Sequence, residues 1–349
     1  MKYKKIIING RFLSQNITGV QRYAREIFAE LDKLAENIEI IMAVDKHAEN
    51  IPHYKNIKIY KCGIFSGTLW GQISLPLFVL KNKGLCVSVA NVPPILTPHV
   101  IAVHDVNFKV NRQFFSKGIA LWYNFAFGAV INRIKDIITI SEFSKSEICR
   151  VYKKDYKNIT ITYTGWQHFE KLPYDENALQ KYGLEKGKFY FAMSSMSPNK
   201  NFRWIAEAAR KNPDCIFAVS GQVDKKIFGD GQSFDAPGNM KFLGYVSDGE
   251  AKTLMRDSRA FLFPTFYEGF GMPPLEALST GTKAVVSDAN CMREIFGSCV
   301  YYIDPNNPDV DLERLLKKEV TPPDGLLQKY SWKKAAEILY NDILMKYFK

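Results

Sequence analysis

The stretch Phe263-Pro264-Thr265-Phe266-Tyr267-Glu268-Gly269-Phe270-Gly271-Met272-Pro273-Pro274-Leu275-Glu276-Ala277-Leu278, followed by Ser279-Thr280-Gly281, decides how this 349-residue chain is read. Residues 260–264 have strand character, the glycines at 269 and 271 make a turn, and a helix opens just beyond. Glycines let the backbone come close to a ligand. The first turn of the helix offers unpaired N–H groups and a positive dipole end to an anion, most naturally a diphosphate. Glu268 and Glu276, eight positions apart, bracket that phosphate site. Carboxylates suit neutral hydroxyls: the one on the loop can accept from a sugar, the one in the helix from a ribose diol. A sugar, a diphosphate and a nucleoside in a row describe a nucleotide sugar. A solvated or capping glutamate is the ordinary alternative at either position, and the paired spacing around the loop favours the ligand.

Outward from this stretch, short apolar strands alternate with amphipathic segments. In the first half, 5–9, 38–44, 57–61, 85–90, 100–104 and 137–140 are short and rich in Val and Ile. Residues 18–35 place Val20, Tyr23, Ala24, Ile27, Phe28, Leu31 and Leu34 at spacings of three and four, which predicts an amphipathic helix. In the second half, 189–193, 215–220, 240–244, 260–264 and 283–287 repeat the strand pattern. Strand, helix, strand implies parallel sheets. The expected class is therefore α/β, with two doubly wound domains at 1–170 and 171–330. Residues 163–187, polar and broken by Pro173, form the linker. Ser331 caps a closing helix over 332–347, within a terminal segment 331–349 that returns towards the first domain. Ligands in such sheets bind at the carboxyl ends of the strands, so function is expected in a cleft between the domains.

Composition narrows the possibilities. With 46% hydrophobic, 24% charged and 13% aromatic residues, the chain is globular rather than disordered or fibrous. The formal charge of +11 is uneven: residues 1–170 hold 23 Lys and Arg against 13 Asp and Glu, whereas 171–349 hold 24 against 23. Residues 51–100 contain five lysines and no acid, which points the first half towards an anionic partner such as a nucleic acid, an acidic lipid surface or a phosphorylated substrate. The N-terminal apolar run is too short for a signal peptide, and the apolar segment 118–131, interrupted by Asn124, falls short of the roughly 20 residues that span a bilayer. Six cysteines without a Cys-x-x-Cys pair suggest neither a zinc knuckle nor a disulfide framework, and a reducing cytosol is expected. No Gly-x-Gly-x-x-Gly follows the first strand and no Gly-x-x-x-x-Gly-Lys-Ser/Thr occurs, which disfavours a dinucleotide oxidoreductase and a P-loop nucleotidase.

Glu-Gly-Phe-Gly-x-Pro-x-Leu-Glu-Ala at 268–277 is similar to the E-x7-E signature of the large retaining glycosyltransferase family 4, the group 1 transferases of GT-B fold. Ile17-Thr18-Gly19-Val20-Gln21-Arg22-Tyr23, Val103-His104-Asp105, Ile140-Ser141-Glu142-Phe143-Ser144, Ser197-Pro198-Asn199-Lys200-Asn201 and Gly244-Tyr245-Val246-Ser247-Asp248 resemble further landmarks of that family, in its order. The likeness spans nearly the whole chain and implies two Rossmann-like domains facing a central cleft. It implies that Glu268 contacts the transferred hexose and Glu276 the ribose. The turn at Gly269 and the backbone amides of Phe270, Gly271 and Met272 would hold sugar and diphosphate. Lys200 would stabilise the leaving diphosphate. Where relatives carry arginines nearby, this chain has Ser195 and Asn199, which places more of that task on Lys200. Gly19, with Arg22 one turn later, would approach phosphate from the opposite wall. His104 would face the donor sugar and give it hydrogen bonds, with Asp105 orienting or capping, although a lone strand-end histidine is more often structural. Tyr245 or Val246 would flank the base. His104, Lys200 and Glu268 form the expected catalytic set. Transfer would proceed by positioning and charge stabilisation, without metal or other cofactor, since no histidine cluster and no Asp-x-Asp pair stands between strands.

Segment 112–133 combines Phe114, Phe115, Leu121, Trp122, Tyr123, Phe125 and Phe127 with basic ends, which suits a membrane interface, while core packing is the better reading of its middle. The whole is read as a cytoplasmic, membrane-peripheral hexosyltransferase. It would use a nucleotide sugar, GDP-mannose ahead of a UDP-hexose, and a glycan or lipid-diphosphate-linked acceptor in O-antigen or capsule synthesis, with no nucleic-acid partner. Two other classes stand beside it. A GT-B epimerase would place acid–base groups around the sugar, yet the chain has five histidines in all. A non-catalytic basic protein would bind nucleic acid or other anions with strong salt dependence.

Overall fold

The Val- and Ile-rich segments become central parallel strands because both faces of such a sheet are covered. The computed structural model describes residues 3–195, 197–221 and 236–348. Two units emerge, one of Met1–Gly165 with Ser331–Lys349 and one of Trp166–Tyr330. The division falls at Gly165 rather than at 170, because the residues just beyond are tied into the second unit. Trp166 Nε1 donates to the Leu327 carbonyl at 2.9 Å and Gln167 Nε2 to the Tyr330 carbonyl at 3.1 Å.

The first unit carries β1 (Lys5–Asn9), β2 (Glu39–Val44), β3 (Ile57–Lys61), β4 (Leu85–Ser88), β5 (Val100–Ala102), β6 (Asp136–Thr139) and β7 (Ile159–Ile161) in the order β3-β2-β1-β4-β5-β6-β7. Ile6, Ile7 and Ile8 are wholly buried at its centre. The helix Gly19–Leu34 crosses from β1 to β2 and buries Tyr23, Ala24, Ile27, Phe28 and Leu31, the face read from its spacing. Gly10 allows the chain to leave β1 against β2: a Cβ there would lie 2.6 Å from the Ala43 carbonyl oxygen. Strand order reverses between β1 and β4.

The second unit carries β8 (Phe189–Met193), β9 (Ile216–Ser220), β10 (Met240–Gly244), β11 (Ala260–Phe263), β12 (Ala284–Ser287) and β13 (Tyr301–Ile303) in the order β10-β9-β8-β11-β12-β13. Here the order reverses between β8 and β11. The helix Phe202–Lys211 packs Trp204, Ile205, Ala208 and Ala209 onto this sheet with Tyr190 and Phe217. In a doubly wound sheet the usual ligand position is at the carboxyl ends of the two strands that flank such a reversal, here β1 and β4 in one unit and β8 and β11 in the other.

The closing segment rejoins the first unit. Ser331 accepts from the Lys334 amide at 3.2 Å and caps Trp332–Glu337, but the expected single helix then loosens into a wide turn, Ile338–Ile343, and a tight one, Leu344–Tyr347. Trp332 meets Tyr23 edge-on at 5.9 Å, and Tyr347 donates to Asp136 Oδ2 at 2.5 Å. In the helix Lys117–Ile131 it is the carboxyl half, with Ala126, Phe127, Val130 and Ile131, that joins the core, whereas Ile119, Leu121 and Phe125, nearer the middle of the segment read as core, are exposed. Among the described residues no helix is long and apolar enough to cross a membrane. All six cysteines are free.

Candidate functional site

In the second unit the loops leaving β8 and β11 stand side by side because those strands are hydrogen-bonded neighbours. Lys200 ends the turn Pro198–Lys200, and Asn201, at φ +57°, intervenes before the helix Phe202–Lys211. Lys200 therefore stands just outside that helix, in the turn before its N-cap. Asn201 Nδ2 donates to the Pro264 carbonyl at 2.9 Å and to the Pro305 carbonyl at 2.8 Å. The Asn199 carbonyl accepts from the Phe266 amide at 2.8 Å, while Asn290 Nδ2 donates to the Phe266 carbonyl at 2.8 Å. Cys291 Sγ donates to the Glu268 carbonyl at 3.3 Å. The loop is thus held from both sides. The consequence is a pairing that spacing alone does not show: Lys200 Nζ lies 2.5 Å from Glu268 Oε1, both side chains mostly buried.

Gly271, at φ +92°, precedes the helix Met272–Ser279, and a Cβ there would press to 3.2 Å from Met292 Cε and Phe296 Cε2. Its positive φ lets the loop turn sharply into the helix. Pro273 and Pro274 carry no N–H, so the donors at this helix end narrow to the amides of Phe270, Gly271 and Met272. None of these three amides has a hydrogen-bond partner among the described residues. Phe270 is buried edge-on against Tyr330 at 5.1 Å, and Gly269 is buried beside it.

Glu276 sits one turn into the same helix and is buried. Its Oε1 lies 3.0 Å from Nε2 of His168, itself buried in the short helix Gln167–Glu170. Sequence reasoning missed His168. It is 108 positions away, in a segment read as linker, and no spacing points to it.

The remaining candidates of this unit are more peripheral. Gly244, at φ +70°, ends β10; beyond it the Tyr245 side chain is 80% exposed and Val246 is buried. Ser247 and Glu250 then close a reciprocal cap on the helix Asp248–Asp257. Ser195 is exposed, with Oγ 3.4 Å from Ser197 Oγ. The one Asp-x-Asp pair, Asp309-Val310-Asp311, lies beyond β13: Asp309 pairs with Lys211 at 2.7 Å, and Asp311 caps Leu312–Leu315 by accepting from the Arg314 amide.

In the first unit Gly19 is exposed at the start of Gly19–Leu34. Near the β1/β4 reversal, Gln15 Oε1 accepts from Asn91 Nδ2 at 2.6 Å and from Gln21 Nε2 at 3.2 Å. His104 follows β5, and its Nε2 lies 2.9 Å from the Val89 carbonyl oxygen. A carbonyl can only accept, so Nε2 carries the proton and the neutral ring keeps only an acceptor, Nδ1. Burial lowers the His104 pKa and favours that neutral form. The expectation that this histidine gives hydrogen bonds is therefore reversed for its free nitrogen. Tyr23 packs edge-on against the ring at 4.7 Å, and Asp105 Oδ1 accepts from the Asn107 amide at 2.9 Å, a local turn.

These features match a known group of enzymes. The family model described as glycosyl transferases group 1 matches residues 175–322, which hold Lys200, Tyr245 and the Glu268–Glu276 loop. Residues 175–322 of the chain are thus similar to the group 1 glycosyltransferases. It is 27% identical to the O-antigen chain mannosyltransferase B of Escherichia coli, over 94% of this chain and 96% of that one. To the O-antigen chain mannosyltransferase RfbU of Salmonella typhimurium it is 25% identical, over 86% and 87% of the two chains. Sucrose-phosphate synthase from Thermosynechococcus elongatus shares the fold, with a TM-score of 0.75 over 99% of both chains at 14% identity. The two parallel-sheet units are those of the GT-B fold.

Proposed function

We propose that this chain is a group 1 glycosyltransferase that takes a hexose, with mannose favoured, from a nucleotide sugar and transfers it with retention to a glycan or lipid-diphosphate-linked acceptor in surface polysaccharide synthesis. The observation that carries the reading is the Lys200–Glu268 pair beside the partner-free amides of 270–272, with Glu276 one turn on. The amides and Lys200 hold the diphosphate. Glu268 receives hydroxyls of the hexose and Glu276 those of the ribose, while Tyr245 or Val246 flanks the base and Ser195 borders the diphosphate.

Retention follows if the acceptor oxygen attacks the anomeric carbon on the face from which the diphosphate leaves. The carbon–oxygen bond to the diphosphate breaks with its electron pair going to the phosphate oxygen. That oxygen takes the acceptor hydroxyl proton as the new glycosidic bond forms. The positive charge this demands comes from Lys200 and the helix end, so the reading needs neither metal nor cofactor. For the first unit the reading assigns Gly19 to phosphate and His104 to the sugar, through Nδ1 as an acceptor. These two assignments rest on the resemblance.

The preference for mannose, and for GDP over UDP, draws support from the two mannosyltransferase relatives. A cytoplasmic, membrane-peripheral location draws support from the basic first half and a lipid-linked acceptor. The test is thermal stabilisation of the pure protein by GDP-, UDP-, dTDP- and ADP-sugars with EDTA present, because a ligand bound only to the folded state raises its melting temperature. A shift with one base is expected. No shift with any removes the donor reading.

A further inference from the structure

The first unit carries an apolar helical face that is left exposed among the described residues. Residues 67–82 form one continuous helical segment, Gly67–Leu69, a wide turn at Trp70–Ser74 and Leu75–Asn82. Trp70, Leu75 and Val79 point into the core. On the opposite side, Leu69, Ile73, Leu77 and Leu80 recur at spacings of four, four and three, and all lie between 39% and 63% exposed. The strip widens onto the sheet edge, where Tyr60 of β3 stacks on Phe78 at 4.9 Å. Exposed Lys58 and Lys61 on β3 and exposed Lys81 and Lys83 at the helix end rim it. None of the four pairs with a carboxylate among the described residues, and no Asp or Glu occurs between Glu49 and Asp105.

We propose that this face, the outer side of segment 67–82 with the β3 edge, seats the protein on an anionic bilayer surface. An amphipathic helix lying in the interface buries aliphatic side chains among acyl chains while lysines meet the phosphate layer, and this strip supplies both in register. A second copy is the poorer occupant, since a two-fold contact through this strip would bring its lysine rim against its own image. Segment 112–133, where the sequence suggested membrane contact, gives half of its apolar residues to the core. The segment 67–82 follows the carboxyl end of β3 and leads back to the start of β4, so its first turn lies at the sheet end where ligands bind. A lipid-anchored acceptor would meet the unit there. The inference rests on the proposed peripheral location and not on the donor assignment.

The test is co-sedimentation of the full chain with phosphatidylglycerol-containing vesicles and with phosphatidylcholine vesicles at low salt. Wild type is expected to pellet with the former and to be released by salt. Leu77→Ser with Leu80→Ser should weaken binding at least about tenfold, since it removes two interfacial anchors. Lys58→Glu with Lys81→Glu should weaken it at least about twentyfold, each lysine near an anionic surface being worth about fivefold. Lys317→Glu with Lys318→Glu, an exposed pair on the second unit with the same change of net charge, should leave it unchanged. Melting curves confirm that each variant is folded, as its side chains are exposed.

Failure of wild type to pellet, equal pelleting of the Leu77/Leu80 variant, or equal loss in the Lys317/Lys318 control would each overturn the proposal. So would a wild-type dimer that the Leu77/Leu80 variant turns into a monomer without loss of vesicle binding. Nucleotide-sugar stabilisation, measured on the same samples, reports on the donor reading separately.

Discussion

Nε2 of His168 lies 3.0 Å from Oε1 of Glu276, joining the first short helix of the second unit to the helix that follows the glycine loop. The contact holds a buried carboxylate in one place. A buried carboxylate that lost this partner would turn away towards another, and in the proposed reading the ribose diol would then lose its acceptor.

His168→Phe is therefore expected to weaken nucleotide binding about tenfold, which is about 1.4 kcal/mol, and to raise KM while changing kcat little. His168→Gln keeps a donor within reach and should recover most of the loss. Calorimetric titration with the nucleoside diphosphate, beside steady-state kinetics, checks both. A purely structural histidine would lower the melting temperature without this split between KM and kcat.

Lys200→Ala and Glu268→Ala should each slow transfer at least about a hundredfold, since in the proposed reading one removes charge from the leaving diphosphate and the other an acceptor from the hexose. Each removes one member of a mostly buried ion pair, at a stability cost of about 1–2 kcal/mol, so both variants should remain folded. Release of nucleoside diphosphate and circular-dichroism melts give the two numbers. Normal turnover by either variant removes that residue from the mechanism.

The two halves of this picture were legible to different degrees. Runs such as Ile6-Ile7-Ile8 and Phe189-Tyr190-Phe191 announce central strands because both faces of each are buried. β7 and β13 went unread: each is three residues long at the edge of its sheet, and Thr160 or Tyr302 is only partly buried there. Such strands exist because a neighbour offers a ladder, which local composition does not reveal. Glu268 and Glu276 could be found from their spacing about two glycines. That Lys200 reaches Glu268 depends on β8 lying beside β11, a fact of strand order. His168 had no local signal at all, because its partner is set only by tertiary packing.

The asparagines that grip the glycine loop offer a separate test. Asn201 combines φ +57° with two hydrogen bonds to the Pro264 and Pro305 carbonyls. Asn201→Gly keeps the left-handed backbone at little strain and loses only the bonds, at about 1–2 kcal/mol. Asn201→Ala adds roughly 1–2 kcal/mol of left-handed strain to that loss. The order wild type, then Gly, then Ala in urea midpoints is expected, and a loosened loop should lower transfer in both variants. Equal stability of the Gly and Ala variants would show that the backbone at 201 relaxes.

His104 makes the pH dependence of the first unit specific. Burial holds its folded pKa below the ordinary 6.5, with the Val89 carbonyl opposing only part of that shift. Below about pH 6.5 the unfolded chain takes up a proton that the folded imidazole resists, so stability falls with acidification across the interval between the two values. The contribution is fully present above about pH 6.5 and is lost as pH falls through the folded pKa. Carboxylates titrate lower and add their own slope, so the informative quantity is a difference between proteins. His104→Gln keeps a donor for the Val89 carbonyl and has no proton to gain. Melting temperatures of this variant should fall less steeply than those of wild type between about pH 6.5 and pH 5, while the two run parallel above about pH 7. Parallel curves throughout would mean that His104 titrates alike in both states and that its neutral, acceptor-only form is not imposed by the fold.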